Sequence, residues 1–271
     1  MATENAQNPL ARMADKAGRL AVAGVEEIGA CGALIGESLY WIVAGPRMKQ
    51  PVRFDSIVIQ MMEIGIHAVP IVALMAGTIG IMLAIQGIYT LGLFGAESRV
   101  VVGITLSVTR EFAPLITGIL VAGRSGSALA ARLGTMTINQ EIDALNVMGI
   151  NPVRFLAVPA LIAMLIMVPA LTLFSDFVGL LAAGLYVGAD LGISMAAYFD
   201  ETIEILSLDD LMHGLGKSAI FAVLIAVIGV VNGASVSGGA EGVGRVTTRA
   251  VVQAISAIVV TDMVFAFVVT R

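Results

Sequence analysis

The chain has 271 residues, 58% of them hydrophobic and 13% charged, with a mean hydropathy of +0.96. Soluble domains hold about half apolar and about a quarter charged residues, so a soluble fold of this size is excluded and a bilayer is implied. The formal net charge of −5, with no block of Lys and Arg, excludes nucleic acid as a partner. Cys31 alone forms no internal disulfide, and His67 and His213 are far apart in sequence, so no metal and no cofactor is expected on this chain.

No basic segment leads into a short apolar core at the start, so a cleaved signal peptide is not expected. Residues 10–43 place Leu10, Met13, Ala17, Leu20 and Ala21 at helical spacing among Arg12, Asp15, Lys16 and Arg19. This reads as an amphipathic helix in the membrane interface, within an N-terminal region 1–50, or else as a helix packed on a neighbour. Tyr40 and Trp41 close it as an aromatic anchor.

Residues 51–271 read as a membrane domain of five spans. The first runs from about Val69 to Leu93 with small residues at Gly77, Gly80 and Gly87, and the second from about Val100 to Ala122. Residues 155–190 form either one long span kinked at Pro159 and Pro169 or two spans with a turn at Ser175-Asp176. Charge decides for one. Segments 1–68, 124–154 and 238–249 then share one side and hold eleven of the fifteen Lys and Arg residues, while the opposite loop, 190–210, has six acidic residues and no basic one. The positive-inside rule places the N-terminus in the cytoplasm and, after spans at about 218–236 and 251–269, the C-terminus outside. The fold class is all-α: a polytopic membrane protein with an N-terminal interfacial helix and five transmembrane helices.

The inside loop between spans two and three carries a helix of its own. Thr137-Ile138-Asn139-Gln140 matches a capping box, Gly149 suits a left-handed terminus, and Asn151-Pro152 bars continuation, so a coupling helix is expected over about 137–149. Ile138, Ile142, Leu145 and Met148 or Val147 make its apolar face, with Gln140, Glu141, Asp143 and Asn146 elsewhere. Interfacial helices usually carry Lys or Arg, and this one is acidic, which favours docking to a protein over lying on lipid.

Three stretches resemble a known family. Arg110-Glu111-Phe112-Ala113-Pro114, Gly123-Arg124-Ser125-Gly126-Ser127-Ala128, and the run from Glu141 to Pro152 are similar to the MlaE/YrbE permeases of MCE-linked lipid transporters, and Gly242 to Val252 looks like the family's loop before its last span. The similarity covers roughly residues 50–271. It implies a homodimer and two copies of a separate ABC ATPase docked through Gln140, Glu141, Asp143, Leu145 and Met148. It further implies a ring of MCE-domain protein, in some members a STAS-domain protein, and phospholipid as the substrate. ATP would be used by the partner alone, so this chain is not an enzyme. Such permeases belong to the inner membrane of bacteria with an outer membrane, or to a plastid counterpart. By position, the lipid pocket falls on Leu83, Thr90, Leu91, Phe94, Glu111 and Phe112.

Two features bear on energy and charge. Gly214-Leu215-Gly216-Lys217-Ser218 imitates the end of a Walker A loop, but Leu211 stands where its first glycine belongs. Arg110 and Glu111 fall near the middle of span two, where a basic residue costs about 2.5–3.5 kcal/mol on insertion scales and implies a partner or a wet cavity. Adjacent helical residues diverge by about 100°, so these two do not neutralise each other. Asp262 is the expected mate of Arg110, with Asp176 as rival, and Glu111 reads as an unpaired carboxylate marking a cavity. A secondary transporter, the alternative, should show an internal repeat, and none is found. A non-transporting anchor of an MCE complex needs no buried charges.

Overall fold

The computed structural model describes residues 9–45, 47–48 and 52–269, with the side chains of most residues before Val22 left aside. The apolar stripe read at Leu10, Met13, Ala17, Leu20 and Ala21 lies outside the described side chains. Among the described residues there is no strand, and the helices follow in the order α1 (Pro9–Ala44), α2 (Phe54–Ile64), α3 (Val69–Gly92), α4 (Val100–Ser107), α5 (Ala113–Val121), α6 (Ser127–Ile138), α7 (Glu141–Val147), α8 (Val158–Leu191), α9 (Met195–Ile205), α10 (Leu208–Ala234) and α11 (Gly239–Val269). The protein is an all-α, multi-pass membrane protein. Six of its helical segments are long and apolar enough to cross a bilayer. Five contain the spans read from the sequence. The sixth, Gly24–Ala44, has the lowest hydropathy among them at 1.2 and only 6% of that stretch is buried.

The helices overrun the apolar stretches that announce them. Phe54–Gly92 is one nearly continuous rod, bent where Gly65 separates α2 from a short 3₁₀ turn at Ile66–Ala68. α4, α5 and α6 join end to end through two wider turns, Val108–Phe112 and Ala122–Gly126, so that helix persists to Ile138 rather than stopping near Ala122. The block read as a loop before the last span, Gly242 to Val252, is the first third of α11. α10 begins at Leu208 because Ser207 and Asp210 cap it reciprocally: the Ser207 hydroxyl accepts from the Asp210 N–H at 3.2 Å, and the Ser207 N–H donates to Asp210 Oδ2 at 3.0 Å.

The 155–190 stretch is a single helix. α8 has 34 residues, about 51 Å of rise, and its Pro169 is accommodated without a break. The turn considered at Ser175-Asp176 is absent, and both residues are buried inside α8. Gly192, at φ 71°, ends α8 in the left-handed conformation that lacks a Cβ penalty. The acidic segment beyond it folds into α9, capped by Ser194, and Tyr198 of α9 is fully buried against Gly184 of α8.

The capping box read at Thr137 is not formed. Thr137 and Ile138 belong to the last turn of α6, where the Thr137 hydroxyl bonds the Leu133 carbonyl at 2.8 Å. α7 starts only after Gln140, which adopts a left-handed φ of 58°. A threonine can satisfy its hydroxyl on the preceding turn as readily as on the next, and here the preceding turn wins. The far end matches the expectation. Gly149 has φ 73°, its N–H donates to Asn146 O at 3.0 Å and the Ile150 N–H to Leu145 O at 2.9 Å, which together form a Schellman motif.

α8 is the hub, packed on α2, α3, α5 and α10. One core gathers Val72, Val121, Met164, Val168, Phe221 and Ile225, and a smaller one gathers Ala84, Val101, Ile104, Leu180 and Tyr198. Lipid is as apolar as these side chains, so close van der Waals approach rather than dehydration holds the helices together. The closest approach is α3 on α8: a Cβ at Gly80 would lie 2.1 Å from the carbonyl oxygen of Gly179. Gly80→Val is expected to cost about 1–3 kcal/mol or more and to lower the thermal midpoint in detergent. Gly77→Ala, whose Cβ would make ordinary contacts at 3.7 Å, should leave it nearly unchanged. Equal midpoints for the two variants would mean that this helix contact does not limit stability.

Candidate functional site

The site starts from a proline. Pro114 has no N–H to give to the carbonyl of Arg110, and its ring would press on that carbonyl in a regular helix. The chain relaxes into the wide turn Val108–Phe112, closed by the Ala113 N–H bonding Val108 O five residues back. The same arrangement recurs at Val153–Ala157, followed two residues on by Pro159. Wide turns of this kind concentrate at functional positions, and this one carries Arg110 and Glu111.

α10 supplies the partners from one face. Asp210 and Lys217 stand seven residues apart, two helical turns, with Gly214 between them. A Cβ at Gly214 would lie 2.3 Å from the Thr109 carbonyl oxygen, so only glycine lets α10 press against the wide turn. Arg110 donates to Asp210 Oδ1, whose carboxylate is 4% exposed and also accepts from Ser207. Lys217, at 0% exposure, donates from Nζ to Glu111 Oε2 at 2.6 Å and lies 3.0 Å from Asp262 Oδ1 of α11. The second contact is an ion-pair distance without hydrogen-bond alignment. Phe265 of α11 lies under the Lys217 ammonium at 5.8 Å and against the His213 ring at 5.0 Å.

These pairings correct the sequence reading in three respects. Arg110 pairs with Asp210, not with Asp262 or Asp176. Asp262 pairs with Lys217, and Asp176 is buried with no ion pair among the described residues. Glu111 is not unpaired. The divergence of Arg110 from Glu111 does hold: each faces a different residue of α10. Lys217 itself was the visible clue, a lone ammonium inside an apolar stretch, masked by its resemblance to the end of a nucleotide loop.

The positions carried over for lipid are divided. Leu83 and Leu91 are half-buried against the smaller core, while Thr90 accepts from Gln86 at 3.4 Å on the exposed side and Phe94 is 80% exposed at the end of α3. Glu111 belongs to the charge cluster and Phe112 is half-buried beside it in the same turn. α3 keeps Leu74, Ile81, Met82, Ile85 and Tyr89 exposed on its outer face.

α7 presents a mixed face. Gln140, Glu141, Asp143 and Asn146 are exposed, as are Met148 at 64% and Val147 at 89%. Leu145 is 8% exposed and turned into the body, so it anchors α7 and is not available to a partner. Beyond α7, Asn151 uses both ends of its amide: Oδ1 accepts the Arg154 N–H at 3.0 Å and Nδ2 donates to Glu37 of α1 at 2.8 Å.

Comparison with known proteins settles the family. Residues 57–268 match the family model described as Permease MlaE. The chain belongs to the MlaE permease family. It is 32% identical over 225 residues to the intermembrane phospholipid transport system permease protein MlaE of Haemophilus influenzae, covering 82% of each chain. Similarity extends to a probable ABC transporter permease protein of Rickettsia typhi, 34% identical over 80% of this chain and 86% of the relative. A probable ABC transporter permease protein of Synechocystis is 38% identical over 75% and 77%. The chain is thus the membrane permease subunit of an ABC transporter, a non-catalytic part.

In this permease the α1 helix is tied to the rest by a second polar chain. Asn232 Nδ2 donates to Gln253 Oε1 at 2.7 Å, Gln253 Nε2 donates to Glu27 Oε2 at 2.8 Å, and Glu27 also pairs with Arg249. The charge cluster predicts a specific non-additivity. Lys217→Met removes the only cation touching both Glu111 and Asp262 among the described residues and should destabilise the permease by about 3–5 kcal/mol. Adding Asp262→Asn should recover part of that loss. Thermal unfolding of the two single variants and the double measures the coupling, and strict additivity would dissolve the cluster as an energetic unit.

Proposed function

We propose that this permease moves phospholipid between its own membrane and an MCE-domain partner, working as one half of a homodimer driven by a separate ABC ATPase. The match to the MlaE family model over residues 57–268 carries this reading. The H. influenzae relative's name supplies the substrate class, phospholipid. By the family resemblance an MCE-domain ring completes the proposed assembly, with a STAS-domain protein as in some members. The chain itself holds no cofactor, and ATP is hydrolysed in the partner. The N-terminus lies in the cytoplasm and the C-terminus outside the inner membrane, with α1 in the interface at the cytoplasmic side, in keeping with its low burial and its aromatic end at Tyr40 and Trp41.

The outer half of α3 and the wide turn at Val108–Phe112 form the lipid-handling surface. Thr90 and Phe94 face outward and contact lipid or the second copy, while Leu83 and Leu91 support them from behind. Glu111, 40% exposed, gives this surface a polar point within the membrane whose charge is compensated by Lys217. An ammonium held at 0% exposure keeps its carboxylate partners in place while Glu111 remains open on one side.

The ATPase docks on α7. Glu141 and Asp143 lie in the first turn, where negative charge suits the positive end of the helix, and they offer a basic pocket of the partner two carboxylates beside exposed Val147 and Met148. Glu141→Lys, Asp143→Lys and Val147→Asp combined should reduce co-purification of the ATPase by about tenfold or more without unfolding the permease. Leu145→Ala, in contrast, should act through stability, lowering the unfolding midpoint by an amount set by about 2–5 kcal/mol of lost packing. Undiminished ATPase recovery with the triple variant would remove α7 as the docking site.

A further inference from the structure

The motif Gly123 to Ala128 has no part in the charge cluster, yet it forms one wall of a cavity of about 380 Å³. Arg124, Ala128 and Arg132 follow one another at intervals of four, so they stand in a stripe with a small residue between two guanidinium groups. Gln60, Glu63, Ile64 and His67 line the opposite wall, and Leu129 and Met164 add to the lining. Both walls are irregular helix: the break at Gly65 on one side and the wide turn Ala122–Gly126 on the other. Wide turns and helix breaks concentrate at functional positions, and two facing breaks mark this cavity as built.

Its chemistry is that of an anion site. Arg124 donates one N–H to the Glu63 carbonyl at 3.1 Å, out of five that a guanidinium carries, and Arg132 is 3.6 Å from the Glu63 carboxylate. The lining thus carries two guanidinium groups and one carboxylate, an excess of positive charge. Gln60 and Ser125 are each 8% exposed, and the Ser125 hydroxyl has no hydrogen-bond partner. A volume within the range of about 300–1,000 Å³ typical of small-molecule sites, two cations and two buried neutral donors fit a phosphodiester. By the charge asymmetry the cavity lies toward the cytoplasm, near the exposed apolar flanks Ile66 and Ile71.

We infer that this cavity holds the phosphate of a phospholipid from the inner leaflet, a second lipid site separate from the surface of α3 and the wide turn at Val108–Phe112. The lipid source rests on the function proposed above, whereas the anion chemistry does not. The full-length permease in dodecyl maltoside is incubated with dioleoyl phosphatidylglycerol, with dioleoylglycerol, or with the phospholipid plus millimolar inorganic phosphate. Retained lipid is counted by native mass spectrometry. Wild type should retain the phospholipid over dioleoylglycerol, and Arg124→Gln with Arg132→Gln should weaken that retention by about tenfold or more. Arg124→Lys with Arg132→Lys should keep most of it. Ala128→Trp, which fills the cavity and alters no charge, should lose it even if the glutamine pair fails to fold. Wild-type retention by both the glutamine pair and Ala128→Trp overturns the inference, as does displacement by inorganic phosphate, which would define a free-anion site. Loss of lipid in Phe94→Ala alone, with the cavity variants unaffected, overturns it while leaving the outer surface as the lipid site. Absence of any retained phospholipid on wild type removes both.

Discussion

A missing backbone hydrogen sets the charged centre. Because position 114 is proline, the carbonyl of Arg110 goes without its ordinary helical donor, and the surrounding chain widens by one residue over Val108–Phe112. That extra residue sets the directions in which Arg110 and Glu111 leave the helix. It also presents the Thr109 carbonyl to α10 so closely that only a glycine fits opposite, at Gly214. With α10 held at that distance, Asp210 and Lys217 meet the two charges from one face, and Asp262 on α11 completes the group. Close helix packing and charge pairing are therefore two results of one backbone defect.

The cluster also explains how so many charges coexist with an apolar solvent. Lys217 would be costly alone at depth, and each of its carboxylates would be costly without it. Arranged as carboxylate, ammonium, carboxylate, the set has one excess negative charge, placed beside a partly exposed Glu111. Arg110 and Asp210 neutralise each other next door, closer to the capped start of α10. Asp176 stands apart, a buried carboxyl in α8 with Oδ1 unbonded.

Much of the architecture was legible in the residues. The apolar runs located five of the six segments long enough to cross a bilayer, and the Lys and Arg asymmetry chose one helix over two for 155–190, as the uninterrupted α8 bears out. Gly149 announced the end of α7 since few residues tolerate its backbone angle. Other features were hidden for identifiable reasons. Thr137 has two equivalent uses for its hydroxyl, on the turn before or the turn after, and sequence cannot choose between them. Residues 124–138 and 239–250 are polar enough to read as loops, yet they continue as helix, with α6 packed on both α10 and α11. The partner of Arg110 was misjudged because a helix packed at the distance Gly214 permits brings its own first turn to the wide turn, and no periodicity within a single segment reports which helix lies opposite. Leu145 fell on the predicted apolar face and turns inward, whereas Val147 and Met148 of the same face stay exposed.

The amide of Asn151 has a mechanical meaning. It sits just past α7, bonded on one side to the start of the rod that becomes α8 and on the other to Glu37 of α1, which also receives the Trp41 indole N–H at 3.4 Å. Arg154 stacks over the same indole at 5.4 Å. This residue just past α7 therefore contacts two helices at once, one deep in the bundle and one along its margin. Asn151 thus binds the outlying α1 helix, through Glu37, to the start of the rod that becomes α8.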